Sequence, residues 1–441
     1  MSNLKHLLLL ILGLSVVFFA GCSTNSDNTS VGPSTSDVTV LTGTITDNTT
    51  LTADNNYLLR GGVFVGDDDN ETVLTIEPGT VIYGESATWG MLVIRRGSKI
   101  MAEGTVDAPI VFTSDKPVGQ RGRANWGGLI INGRAPLNTG PEAYGEGGTG
   151  YYGGDDPDDN SGVLRYVRVE FAGREISPDN ELNGIAFQGV GSGTTVEYIQ
   201  VHMNKDDGIE FFGGTVNTKY LYVTGCADDQ FDWTDGWQGK GQFWVCQQYG
   251  DDADQGIEAD NNADNNDATP RSNPTIYNIT LIGDKGGVES DIGVLLREGT
   301  GATIRNAIVM NFGDCGIDLD HEATFQNAWG GTALNGNLIV DNCIFYDNTE
   351  TWQTSDDDET TFPFTTQEFI GTLNANNQFS DPNLTAPYDK ANPDFRPGSG
   401  SIALSGYAQP PADGFFESVD FIGGVDPDNN WLEGWTTSAQ D

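Results

Sequence analysis

Between Ser161 and Asn348 one hydrophobic rhythm keeps returning: apolar, any residue, Tyr or Asn, apolar, any residue, apolar. The copies are Leu164 to Val169, Val196 to Val201, Ile276 to Leu281, Ile304 to Val309 and Val340 to Phe345, with a looser one from Thr218 to Val223. A degenerate copy, Lys240 to Val245, starts 22 residues after the loose one. Most copies are followed, after a tight turn, by a second short run of alternating side chains: Gly184 to Phe187, Gly208 to Phe211, Gln230 to Trp233, Gly256 to Ala259, Gly293 to Leu296 and Gly316 to Leu319. These starts step by 24, 22, 26, 37 and 23 residues. Alternation is the period of a half-buried strand, and self-similarity at such a spacing marks a stacked repeat. The pattern predicts an all-β, single-stranded right-handed parallel β-helix with caps at both ends. Each coil buries its inward residues on the coil below and pairs its backbone with both neighbours about 4.8 Å apart. The longer steps are inserted loops.

The same pattern divides the chain. Met1 to Cys22 carries Lys5 and His6, an apolar run from Leu7 to Ala20 and a Phe19-Ala20-Gly21-Cys22 junction, the layout of a secretory signal too short for an ordinary membrane span. Residues 23–37, rich in Ser, Thr and Asn, cannot bury enough apolar surface to fold and read as a tether. The β-helix domain then occupies 38–441, with core repeats over about 161–348. A last coil and cap fill about 370–441, with Phe415 to Thr436 lying across the open edge. The Ala20-Gly21-Cys22 junction resembles the lipobox of bacterial lipoproteins. That resemblance implies lipidation of Cys22, and Ser23 after it implies the outer membrane. A soluble export signal cut nearby is the other reading.

The opening coils hold Glu77-Pro78-Gly79-Thr80, Ala102-Glu103-Gly104-Thr105 and Pro109-Ile110-Val111-Phe112-Thr113-Ser114. These segments resemble the first coils of the pectate-lyase-like β-helix superfamily, and Leu74 to Thr436 as a whole is similar to secreted or surface β-helix proteins without an established activity. The resemblance implies fold and location, not chemistry. After the coil strand Asn125 to Gly133, the stretch from Gly140 to Gly162 leaves the period. It carries Tyr144, Tyr151 and Tyr152 with the acidic run Asp155-Asp156-Pro157-Asp158-Asp159. It is either a lid or binding finger, or a disordered insertion.

Charge changes the picture next. Asp and Glu number 64 against 21 Lys and Arg, a net charge of -43, which excludes a nucleic-acid backbone as the default ligand. Part of that charge is patterned. In the coils from Gly208 onward the residue two places before the turn Gly or Gln is always Asp: Asp206, Asp228, Asp254, Asp291 and Asp314. In register these form a column whose neighbours repel by on the order of 1 kcal/mol each at a surface dielectric. Either the carboxylates serve turns by bonding nearby backbone, or a row of calcium ions bridges them. A parallel outward column runs Glu210, Asp232 and Glu258 and returns at Asp318, with Asp207 and Asp229 beside it.

The Asp-Asp pairs at Asp206-Asp207 and Asp228-Asp229 loosely resemble the acid motifs of galacturonases, which makes Asp207, Asp229 and Asp232 candidate catalytic acids. Arg297 is a candidate lyase base, from a short list with Lys205, Lys240 and Arg271. The His-Gly and Arg-x-Lys motifs of those enzymes are missing: His202 precedes Met203, and His321 precedes Glu322. By alternation Phe211 and Trp233 face the core, while Phe212 and Trp237 are assigned outward as sugar-stacking rings. Cys226 and Cys246 follow successive first strands and are assigned to a disulfide, and no zinc spacing is present. The leading expectation is a lipid-anchored envelope protein with a structural or binding role, engaging polysaccharide or a surface partner with calcium. The alternative is a polysaccharide lyase or glycoside hydrolase acting on an acidic glycan.

Overall fold

A computed structural model describes residues 38–68, 70–177, 180–353 and 362–440; Cys22, the tether and the acidic run Asp356 to Glu359 lie outside them. The chain winds as a parallel β-helix in which 23 strands join one continuous hydrogen-bonded network. Three parallel sheets run along the stack, one more than the two strands per repeat suggested. The first contains Val73–Ile76, Lys99–Glu103 and the N-terminal halves of Gly162–Glu170, Thr195–His202 and their successors. The second contains Val81–Gly84, Ile110–Ser114 and the C-terminal halves of those same strands. The third is Met91–Ile94, Gly128–Asn132, Ile185–Gln188, Ile209–Phe212, Phe231–Thr234, Ile257–Ala259, Val294–Leu296 and Asp318–Leu319.

The Tyr-or-Asn position of the repeat is the corner between the first two sheets. Tyr166, Tyr198, Tyr220, Phe243, Asn278, Asn306 and Asn342 all hold φ between 49 and 61°. This is the left-handed region, where Asn is the least strained non-glycine choice. Phe243 takes this place because Gly241, not Lys240, pairs with Thr218, so the degenerate copy is Gly241 to Cys246. The aromatic corners offset their strain by stacking. Ring centroids lie 4.4 Å apart for Tyr166 and Tyr198, 4.3 Å for Tyr198 and Tyr220, and 5.0 Å for Tyr220 and Phe243.

Inward residues make one elongated core. Its widest part is an aromatic pile in which Phe211 stacks on Phe187 at 5.5 Å and on Trp237 at 4.1 Å, and Phe231 on Trp244 at 4.7 Å. At the C-terminal end Phe325 of the helix Glu322–Ala328 meets Phe362 and Phe364, and Phe369 and Ile370 complete the plug.

The C-terminal tail is not the end cap that its aromatic content suggested. It packs along the outside of the stack as a strap over the corner ladder, doubling back between Glu417 and Gly423 before it reaches the earlier coils. Asn306 Nδ2 donates to Ala408 O at 2.8 Å, Asn278 Nδ2 to Phe421 O at 3.1 Å, Gln242 Nε2 to Glu417 O at 2.9 Å, and Gln200 Nε2 to Thr437 O at 2.7 Å. Trp431 and Trp435 set their edges on the Tyr ladder, Trp435 lying 5.6 Å from Tyr166. The reason is chemical: the corner aromatics and the amides beside them form a half-polar surface that a chain with both aromatics and free carbonyls satisfies.

Candidate functional site

The third sheet puts the outward acids in strict register. Ala186 pairs with Glu210, Glu210 with Asp232, Asp232 with Glu258, Glu258 with Leu295, and Leu295 with Asp318. Upstream of Glu210 the same column is apolar, running Val93, Ile130 and Ala186, and Leu182 packs on it. The turn aspartates stack too. Asp254 N donates to Asp228 O at 3.2 Å, Asp291 N to Asp254 O at 3.0 Å and Asp314 N to Asp291 O at 3.0 Å.

These two columns merge into one cluster. Four overlapping trios, Asp206-Asp207-Asp228, Asp207-Glu210-Asp232, Asp228-Asp229-Asp254 and Asp229-Asp232-Glu258, each bring carboxylate oxygens within 4.8 Å of one another. Asp291 and Asp314 belong to the backbone ladder but not to these trios, and both are exposed. The second Asp of each pair does work between coils rather than within its own turn: Asp207 Oδ1 accepts from Asp229 N at 3.1 Å, and Asp229 Oδ1 from Gln255 N at 2.6 Å.

The cluster lies outside the coil yet is covered. Asp207, Asp229 and Asp232 are 7, 4 and 9 % exposed, so none presents its carboxylate openly to a polymer chain. One cover is the segment that left the period, which folds as a hairpin of Ala143–Gly145 and Gly150–Tyr152. Asn132 Nδ2 donates to Thr149 O at 3.0 Å, Gly147 N to Asn180 Oδ1 at 2.6 Å, and Tyr152, itself buried, reaches Asp235 Oδ2 with its hydroxyl at 3.3 Å. The hairpin also brings Glu146 to Glu210, which accepts a hydrogen bond from Asn183 Nδ2.

Burial first, and then mutual repulsion, hold the acids above the ordinary carboxylate range. Asp206 and Glu258 are pushed up to about 8, Glu146 to about 7 and Asp254 to about 6. Asp207, Glu210, Asp229 and Asp232 are likewise raised well above that range, by the same causes. Asp235 is pushed up to about 6 by burial, against the Tyr152 hydrogen bond. Asp232 Oδ1 is buried with no hydrogen-bond partner. The donor set is oxygen only, which suits a hard cation rather than zinc.

Other sequence assignments move. Arg297 is held in ion pairs, which disfavours proton abstraction by it: its Nε donates to both oxygens of Asp260, at 2.9 and 3.1 Å, and Nη2 reaches Glu258 and Asp260, an arrangement that raises the guanidinium pKa despite its burial. Lys205, Lys240 and Arg271 are paired with Asp252, Asp413 and Asp267. Trp237 is fully buried in the aromatic pile, its indole N–H donating to Val216 O at 3.3 Å, so it stacks on no sugar. Phe212 does face outward, half-covered by Tyr152 at 6.2 Å. Cys226 and Cys246 are free buried thiols, because Cys246 lies opposite Val223, three residues short of Cys226. Phe211 and Trp233 point into the core as expected.

Glu146, Asn183, Asp235 and Asp260 join the site without any repeat signal. At the hairpin Tyr144 and Tyr151 are exposed, by 59 and 49 %, and lie edge to face at 4.9 Å; Trp89, Phe379 and Tyr388 are exposed elsewhere.

Among solved structures, the enzymatically active domain of bacteriophage CBA120 tailspike protein 2 is similar, with 11 % sequence identity over 74 % of this chain and a TM-score of 0.35. The match spans 42 % of that tailspike chain. No curated protein matches. The family model for the pectate-lyase like beta helix domain matches residues 43–388, so with its three-sheet coil and stacked register the chain belongs to the pectate-lyase-like β-helix family.

Proposed function

We propose that this protein is a binding module of the cell envelope, held to the outer membrane through Cys22, whose covered acid cluster takes calcium and whose hairpin engages polysaccharide at the cell surface. The observation that carries the calcium reading is the set of four carboxylate trios with a buried, unpartnered Asp232 oxygen among them. At 4.8 Å two ionised carboxylates repel by about 3 kcal/mol at an effective dielectric of 20, and a hard cation replaces that repulsion with attraction. Asp207, Glu210, Asp229, Asp232 and Glu258 would hold it. Glycan contact is assigned to Tyr144 and Tyr151, whose rings stand in solvent on a frame tied to the stack through Tyr152. A rigid aromatic pair of that kind suits the apolar faces of sugar rings.

The test is a calorimetric titration of calcium into the domain from Val38 onward, alongside an Asp232→Asn variant. Saturable binding is expected in the parent and a loss of at least tenfold in the variant; absence of heat or of any stabilisation by millimolar calcium would reject the metal. A glycan panel, uronic-acid polymers included, is read for retention on the parent and on Tyr144→Ala with Tyr151→Ala. Release of unsaturated ends or reducing sugar in that panel would replace the binding reading with a catalytic one.

A further inference from the structure

A second site lies on a different face. On the outward side of the second sheet Val81 pairs with Val111 and Val111 with Arg168, and one alternation along, Tyr83 pairs with Thr113. In later coils this side meets the strap, which reaches Arg168 before continuing to Gln200 and His202: Arg168 Nη1 donates to Trp435 O at 3.1 Å, and Gly434 lines the cleft. The result is a cleft of about 630 Å³ with a sheet floor, rimmed by Gly434 of the strap, by the Gly79 and Asp107 to Pro109 turns and by Arg121 from the loop before Trp126. That volume lies in the range of small-molecule sites.

Its polar groups are poised rather than satisfied. Arg168 and Glu170 pair at 2.9 Å and hold each other in place. Arg121 spends its Nε on Lys116 O at 3.0 Å, while its Nη2 is buried with no acceptor. Thr113, 2 % exposed, has a buried hydroxyl that is likewise without a partner. Tyr83, also buried, feels the charges of both Arg121 and Glu170, so the three groups converge. A buried guanidinium N–H and a buried hydroxyl left empty each cost free energy that a ligand bringing acceptors recovers. In a chain of net charge -43, a cationic donor kept out of an ion pair at such a place is itself informative.

We infer that this cleft binds a small hydroxylated carboxylate, its carboxylate on Arg121 and a hydroxyl on Thr113, with Tyr83, Arg168 and Glu170 around the remaining polar groups. That chemistry is presented either by an acidic sugar or by a free hydroxy acid. The guanidinium fork matches a planar carboxylate, and the Val81 and Val111 floor takes the apolar side of the ligand. The site shares no residue with the acid cluster, and its occupation is independent of calcium.

The experiment is ligand-observed NMR and calorimetry on the full-length chain with glucuronate, lactate and glucose. Saturable binding of glucuronate is expected, with glucose at least tenfold weaker. Binding of lactate as well marks a general hydroxy-acid site, and its failure beside glucuronate marks an acidic-sugar site. Arg121→Gln is expected to lose at least tenfold, with an unchanged melting temperature because its side chain makes one backbone bond on a surface loop. Thr113→Val, buried and nearly isosteric, is expected to lose several-fold and provides the reading if Arg121→Gln unfolds. Neither acid binding, or both variants binding glucuronate as the parent does, would overturn the assignment.

Discussion

Removing divalent cations and raising the pH should destabilise this protein, against the usual behaviour of acidic residues. The groups that decide it are the carboxylates raised in the native state, with Asp206 and Glu258 near 8, Glu146 near 7 and Asp254 and Asp235 near 6. In the unfolded chain the same groups titrate near 4. Below pH 4 both states hold these protons and the full contribution to stability is present. Between pH 4 and 8 the native state retains protons that the unfolded state has lost, so stability falls as pH rises, and the loss is complete above the folded values. Two retained protons, those of Asp206 and Glu258, give a slope of about 3 kcal/mol per pH unit between pH 5 and 7. Over two units that is comparable to the whole stability of an ordinary domain. A bound cation removes the need for those protons. In millimolar calcium the slope should flatten, and calcium at 100 times its dissociation constant adds about 2.7 kcal/mol per site. The assay is urea unfolding followed by circular dichroism at pH 5, 6, 7 and 8, once with chelator and once with calcium. Stability in chelator that stays level or rises across this range would refute the reasoning, because the cluster would then be neither dry nor mutually repelling.

Three further outcomes follow from the fold. At the left-handed corner, Tyr198→Val should be less stable than Tyr198→Asn by about 1–2 kcal/mol in urea unfolding, since both lose the stack but only Val is strained at a φ of 56°. Reducing agent should leave the melting temperature unchanged, and a thiol reagent should label Cys226 and Cys246 only on unfolding, because both are buried and burial pushes their thiols up. A chain ending at Gln409 loses Trp431 and Trp435 from the Tyr ladder and should unfold faster and bind a hydrophobic dye, while the intact chain does not.

The register was legible because the inward residues are bound to it: Ile185, Ile209, Phe231, Ile257 and Val294 each sit one turn above the last, as their spacing in the chain implied. The meaning of Tyr166 and Asn278 was not, since a side-chain pattern marks a special position without saying that φ turns positive there and splits one strand between two sheets. Burial of the acid column was hidden for another reason. Alternation tells whether a residue faces into or out of the coil, but the groups that meet Glu210 from outside come from stretches with no period of their own, around Glu146 and Asn183. Trp237 was misplaced because it lies past the end of the alternating strand, where the parity rule no longer applies and packing on Phe211 decides. The pairing of Cys226 with Cys246 failed on a three-residue offset that only the ladder of Val223 against Cys246 reveals.

The switch at Glu210 ties these observations into one physical problem. Along the third sheet the outward column is apolar through Val93, Ile130 and Ala186, where Leu182 packs on it as on any covered sheet face. One coil later the residue becomes Glu, then Asp, then Glu; Glu210 and Asp232 stay buried and Glu258 is partly so. Among the described residues Arg297 is the guanidinium that meets this column, and it is engaged by Glu258 and Asp260 at the far end. Asp207, Glu210 and Asp232 therefore depend on protons or on bound cations to stay covered, and the hairpin bearing Glu146 adds one more acid to the same account. If the hairpin seats on a neutralised column, the glycan retention proposed for Tyr144 and Tyr151 should weaken in chelator at pH 8 and recover at pH 5, where protons neutralise these carboxylates.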